Sequence, residues 1–124
     1  MAMTEMLPLT EPSAGSDYYC SKLIPASSLS TSSFLPIPCT DDTTNEAFTP
    51  KKAIFYMILS STDTRVVVYD IDNSTIIETY STYFEADMTS SWYNVYIAKS
   101  DDGKGVKYKA PVNAFLVQTR VIMV

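Results

Sequence analysis

The chain of 124 residues contains no histidine. That absence removes the side chain that most often serves as general base and as transition-metal ligand near neutral pH. Serine and cysteine triads built on His are therefore excluded. Long apolar stretches are missing too. The longest uninterrupted run, Ala53 to Leu59, is far too short to span a bilayer, so no membrane partner is expected. Positive charge is scarce in the first part of the chain. Residues 1–50 hold six acids (Glu5, Glu11, Asp17, Asp41, Asp42 and Glu46) against Lys22 alone, a net −5. Residues 51–124 hold eight acids and eight bases and sum to zero. A phosphate backbone would repel the first part and find no excess of positive charge in the rest, which argues against nucleic acid.

Cysteine is limited to Cys20 and Cys39. In an oxidising compartment the two could close a loop worth about 3 kcal/mol. The opening MAMTEMLPLTEPSAG, with Glu5 and Glu11 and no basic stretch, is unlike a secretory signal. Reduced, structural thiols are the expectation.

What is present divides near Pro50. Six of the seven prolines precede or occupy that point, and Ser27 to Ser33 is nearly continuous in Ser and Thr. Proline at this density interrupts helices and removes donors from sheet ladders. Small apolar groups nevertheless recur: Leu7 and Leu9, Tyr18 and Tyr19, Leu23 and Ile24, Phe34 and Leu35 with Ile37, and Phe48. A flexible tether has no use for these. An extended arm laid along a partner does, because each group can fill a pocket. The expectation is an irregular arm over residues 1–50 that binds a partner through these residues, followed by a compact β domain over 51–124.

After Pro50 the pattern is β. Ala53–Leu59, Arg65–Ile71 and Thr75–Thr82 are short runs rich in β-formers. Asp72-Asn73-Ser74 between the last two is turn chemistry and predicts a hairpin. Trp92–Ala98 alternates, with Tyr93, Val95 and Ile97 against Trp92, Asn94 and Tyr96. Ser100–Gly105 holds two of the three glycines and reads as a turn. Val106, Tyr108 and Ala110 then alternate with Lys107 and Lys109, and a last strand spans Asn113–Val124. Together these predict an all-β fold, a small antiparallel sandwich or barrel of about six or seven strands. The only helix expected is one turn near Thr43–Glu46. The final strand is apolar, so it must be central in its sheet or paired with another chain. Phe115, Val121 and Met123 are the residues expected at such a self- or partner contact, and a homo-oligomer is anticipated because a body this small buries little surface.

Catalytic chemistry finds little to work with. Asp70-Ile71-Asp72-Asn73-Ser74 resembles the opening of a calcium loop, but Thr75 and Ser81 stand where such a loop needs Gly and Glu. No phosphate-binding loop, dinucleotide fingerprint or Cys-x-x-Cys occurs. A carboxylate pair such as Glu78 and Glu85 could in principle act on a glycoside, but spacing alone does not support that. No catalytic residue, cofactor or metal is therefore assigned. Nine tyrosines and Trp92 are the remaining feature. Tyr80, Tyr83, Trp92 and Tyr96 form a possible ligand face, since aromatic rings on a β surface hold sugars or proteins at small entropic cost.

An extended N-terminal arm ahead of a compact β body is similar in outline to the decoration (cement) proteins of tailed phages, which lay arms across neighbouring capsid subunits. The resemblance is of layout, with no diagnostic residues. It implies a non-enzymatic virion accessory protein that clamps protein subunits, assembled in the host cytoplasm and located on the virion. A carbohydrate- or receptor-binding β module using the Tyr/Trp face is a second reading. A phage tail or neck component is a third.

Overall fold

A computed structural model of the chain describes residues 18–59, 63–81, 93–111 and 116–124. The fold is all-β, with two antiparallel sheets. The larger contains β1 (Cys20–Pro25), β3 (Lys52–Ile58), β4 (Thr64–Asp70), β5 (Thr75–Ser81) and β8 (Gln118–Met123), in the order β1-β8-β3-β4-β5. The smaller contains β2 (Leu35–Pro36), β6 (Ile97–Lys99) and β7 (Val106–Tyr108), in the order β2-β7-β6.

The centre of the large sheet explains the uninterrupted apolar runs. Antiparallel strands often leave one face to water and then alternate. Here β3 and β4 are buried on both faces. Phe55 and Met57 of β3, with Val67 and Tyr69 of β4, point into the larger core cluster. Ile54 and Tyr56, with Val66 and Val68, point the other way into a second cluster with Ile122. The small sheet closes the first of these faces. Its Ile97, Val106 and Tyr108 join the same cluster, and the Tyr108 ring meets Phe55 with centroids 5.1 Å apart. The Tyr108 and Thr119 hydroxyls share a buried hydrogen bond of 2.9 Å across the layers.

The hairpin expected at Asp72-Asn73 is present. β4 pairs with β5 from Arg65↔Ser81 to Asp70↔Thr75, with a register shift between Val68 and Tyr69. Asn73 donates from its backbone and its side-chain amide to the Asp70 carboxylate, and the left-handed residue is Ser74, at φ 53°. The Ser100–Gly105 turn links β6 to β7, with Gly103 at φ 74°.

Four expectations need correction. First, from Tyr18 onward the stretch assigned to an arm is built into the body, and Pro50 marks no boundary there. β1 pairs with β8 over its full length, from Cys20↔Met123 to Pro25↔Gln118. β2 pairs with β7. Residues 1–17 lie outside the described residues. The physical reason is edge geometry. Ala26 donates to the Val117 carbonyl, whereas Tyr19 and Ser21 donate outward to Asp41 and Asp42. By that alternation Pro25 faces outward, where a strand loses nothing by lacking an N–H.

Second, Tyr93 is helical and residues 94–96 are a turn, with Tyr96 donating to the Tyr93 carbonyl, and none of them is strand. Tyr93, Tyr96 and Ile97 are buried together while Val95 is exposed, so burial follows a three-then-one spacing rather than alternation. Third, residues 42–44 form a turn, and the one complete helical element described is a 3₁₀ turn at Ala26–Ser28. Fourth, of the two places expected for the last strand β8 takes the central one, between β1 and β3, which corrects the contact expected of its residues. Val121 and Met123 are fully buried within the chain and are not available to a partner. Phe115 lies outside the described residues.

Candidate functional site

Two neighbouring features concentrate the polar chemistry: the turn that clamps β1, and a cleft beside it. The turn is organised by Asp41. Its carboxylate accepts from the backbone N–H of Tyr19 at 2.8 Å, of Thr43 at 3.1 Å and of Thr44 at 2.8 Å. It also accepts from the Thr44 hydroxyl at 3.0 Å. These donors hold its carboxyl below the usual range, the Tyr19 and Thr44 amides contributing most. Asn45, at φ 61°, turns the chain back so that Asp41 N–H reaches the Glu46 carbonyl. The cap is therefore Asp41, two residues earlier than the expected helical turn at Thr43–Glu46. Next to it, Asp42 N–H donates to the Tyr19 carbonyl and the Asp42 carboxylate receives Ser21 N–H.

The cleft has a volume of about 460 Å³ and opens between the 36–39 and 47–49 segments on one side and the Ser100–Gly105 hairpin on the other. Ile37, Phe48 and Val106 give it apolar lining, and Ser100, Asp102 and Lys104 give it a polar lip. Asp102 accepts from the Ser100 hydroxyl and from Lys104 N–H, and both bonds hold its carboxyl below the ordinary range. Cys39 also lines the cleft and packs against the core cluster that contains Cys20. Burial, reinforced by the Cys20 thiol, pushes Cys39 up to about 12. A carboxyl held below its ordinary range is a weak base, and a thiol this high supplies little thiolate at neutral pH.

The residues singled out from the sequence separate into anchors and presenters. Ile24 and Ile37 are core residues. Tyr19 packs partly on the second cluster, and Phe48 partly on the first. The Phe34 ring carries the Lys107 and Lys109 ammonium groups, each 4.8 Å from its centroid. Tyr18, Leu23 and Leu35 remain exposed, Leu23 at 51 %. Tyr18 stacks on Phe48 and donates to Glu46. Leu7 and Leu9 fall outside the described residues.

The aromatic face does not assemble among the described residues. Tyr96 is buried in the larger cluster, while Tyr80 lies against the opposite one and donates to Glu78. Tyr83 and Trp92 lie outside the described residues. One aromatic escaped sequence reasoning. The Tyr56 hydroxyl is buried with no hydrogen-bond partner among the described residues, and burial followed by the nearby Tyr19 pushes it up to about 12. An apolar run such as Ala53–Leu59 carries no signal for an orphaned hydroxyl.

Comparison of the chain with protein-family models, with curated proteins and with solved structures finds no match.

Proposed function

We propose that this protein is a non-enzymatic structural component of a larger assembly, acting as a virion accessory protein that holds neighbouring protein subunits. The observation that carries this reading is the presentation of Leu23. Cys20 and Ile24 anchor β1 in the core, and the Asp41 turn fixes its outer side. The same strand nevertheless exposes Leu23, opposite Arg120 in the ladder. An apolar side chain on a rigid strand is presented to a partner at little entropic cost. The lowered Asp102 carboxyl and the suppressed Cys39 thiol of the cleft support binding over catalysis.

Fractionation of particles from the organism that makes the chain tests this. The protein should travel with a particle, and Leu23→Glu should release it while leaving the far-ultraviolet circular dichroism unchanged. A chain that never enters particles, or a variant that stays bound, removes the reading.

A further inference from the structure

Cys20 and Cys39 come together from parts of the chain committed to different sheets. Cys20 begins β1 of the large sheet and is fully buried. Cys39 follows Ile37, whose N–H is bonded to the Val106 carbonyl in the small sheet. Their approach is fixed by backbone on both sides. Tyr19 and Ser21, the two neighbours of Cys20, are held by Asp41 and Asp42, just beyond Cys39. Cys39 packs against the core cluster that contains Cys20, and both thiols are free. Cys39 is only half-buried and faces the cleft, so one of the pair can be reached from solvent.

We propose that Cys20 and Cys39 are a disulfide-forming site that accepts oxidising equivalents from low-molecular-weight disulfides and, when linked, ties the β1 edge of the large sheet to the segment following β2. Cys39 loses its proton to water and attacks one sulfur of the small disulfide, releasing the first small thiolate and leaving a mixed disulfide. Cys20 then loses its proton and attacks the Cys39 sulfur. The intramolecular S–S bond forms, the mixed S–S bond breaks and the second small thiolate leaves. The protein gives up two electrons and two protons, and the small disulfide is reduced to two thiols. The reaction stands independently of the assembly reading.

The linked form removes chain entropy from the unfolded state, because the loop from Cys20 to Cys39 is closed before folding. The high pKa of the half-buried thiol makes exchange slow, so the dithiol persists in a reducing cytoplasm and converts on long exposure to an oxidising medium.

The test uses the native full chain incubated with oxidised glutathione, against a dithiothreitol control. Intact mass should fall by two hydrogens, and a peptide map should show Cys20 joined to Cys39. The melting temperature should rise by roughly 5–10 °C, reversibly on reduction. Cys20→Ser should trap glutathione on Cys39, and Cys39→Ala should leave Cys20 unmodified and give no linked product. Two persistent free thiols, a stable glutathione adduct on the unsubstituted chain, or a linkage only between molecules would each overturn the proposal.

Discussion

The large sheet has two buried faces, and a tyrosine on each shows how differently they are built. On the face covered by the small sheet, Tyr108 is fully buried and its hydroxyl is matched by Thr119 at 2.9 Å. On the opposite face, Tyr56 is almost as deeply buried and its hydroxyl has nothing to bond among the described residues. Burial raises both phenols above their ordinary range, and only the Thr119 bond opposes the rise at Tyr108. A satisfied buried hydroxyl fixes one arrangement of the layers, because moving either partner strands the other. An unsatisfied one fixes nothing and costs free energy. The first face therefore sets the architecture, and the second is apolar cover with a polar defect.

Substitutions can break this contrast. The largest loss is expected from Phe55→Ala, which empties the space against Tyr108 and should cost about 3–5 kcal/mol in urea unfolding. Tyr108→Phe comes next. It leaves Thr119 buried without its partner and should cost about 1–3 kcal/mol by the same measurement. Tyr56→Phe should act in the opposite direction, gaining up to about 1 kcal/mol because it removes the orphaned hydroxyl. A loss at Tyr56→Phe equal to that at Tyr108→Phe would erase the distinction between the faces.

The smallest effect belongs to Asp41 and is visible only through pH. Its folded carboxyl lies below the ordinary 3.8, so it stabilises the fold above that value. The contribution fades as pH falls below 3.8 toward the folded value. Asp41→Asn should therefore melt lower than the parent chain at neutral pH, with the gap narrowing as pH falls below 3.8. A gap independent of pH would assign the effect to shape instead of charge.

Much of the fold was legible because its signals are local. Asp72-Asn73 and Ser100–Gly105 marked their turns, and the runs at Ala53 and Arg65 marked the central strands to within a residue. Even there the details depended on neighbours. Asn73 spends its side chain on Asp70, and Ser74 takes the left-handed backbone. β1 was hidden because Pro25 and the surrounding prolines argue against a strand unless its outward edge is known. Tyr93–Tyr96 misled because alternation in sequence does not show which side chains are buried. Val121 and Met123 read as sticky only until β1 and β3 are placed on either side of β8. The cleft left no trace at all, since residues 37–48 and 100–106 meet only in the folded chain.

The outward placement of Pro25 bears on how the protein behaves at high concentration. Along the open margin of β1, the Ser21 amide is already taken by Asp42, and Pro25 has no amide to give. Among the described residues, Leu23 is the one between them whose amide faces that margin. A strand from a neighbouring molecule would find a single rung to grip, with a stop at either end. Cross-β stacking needs a ladder several rungs long, so this margin resists templating a fibril even though it displays a leucine.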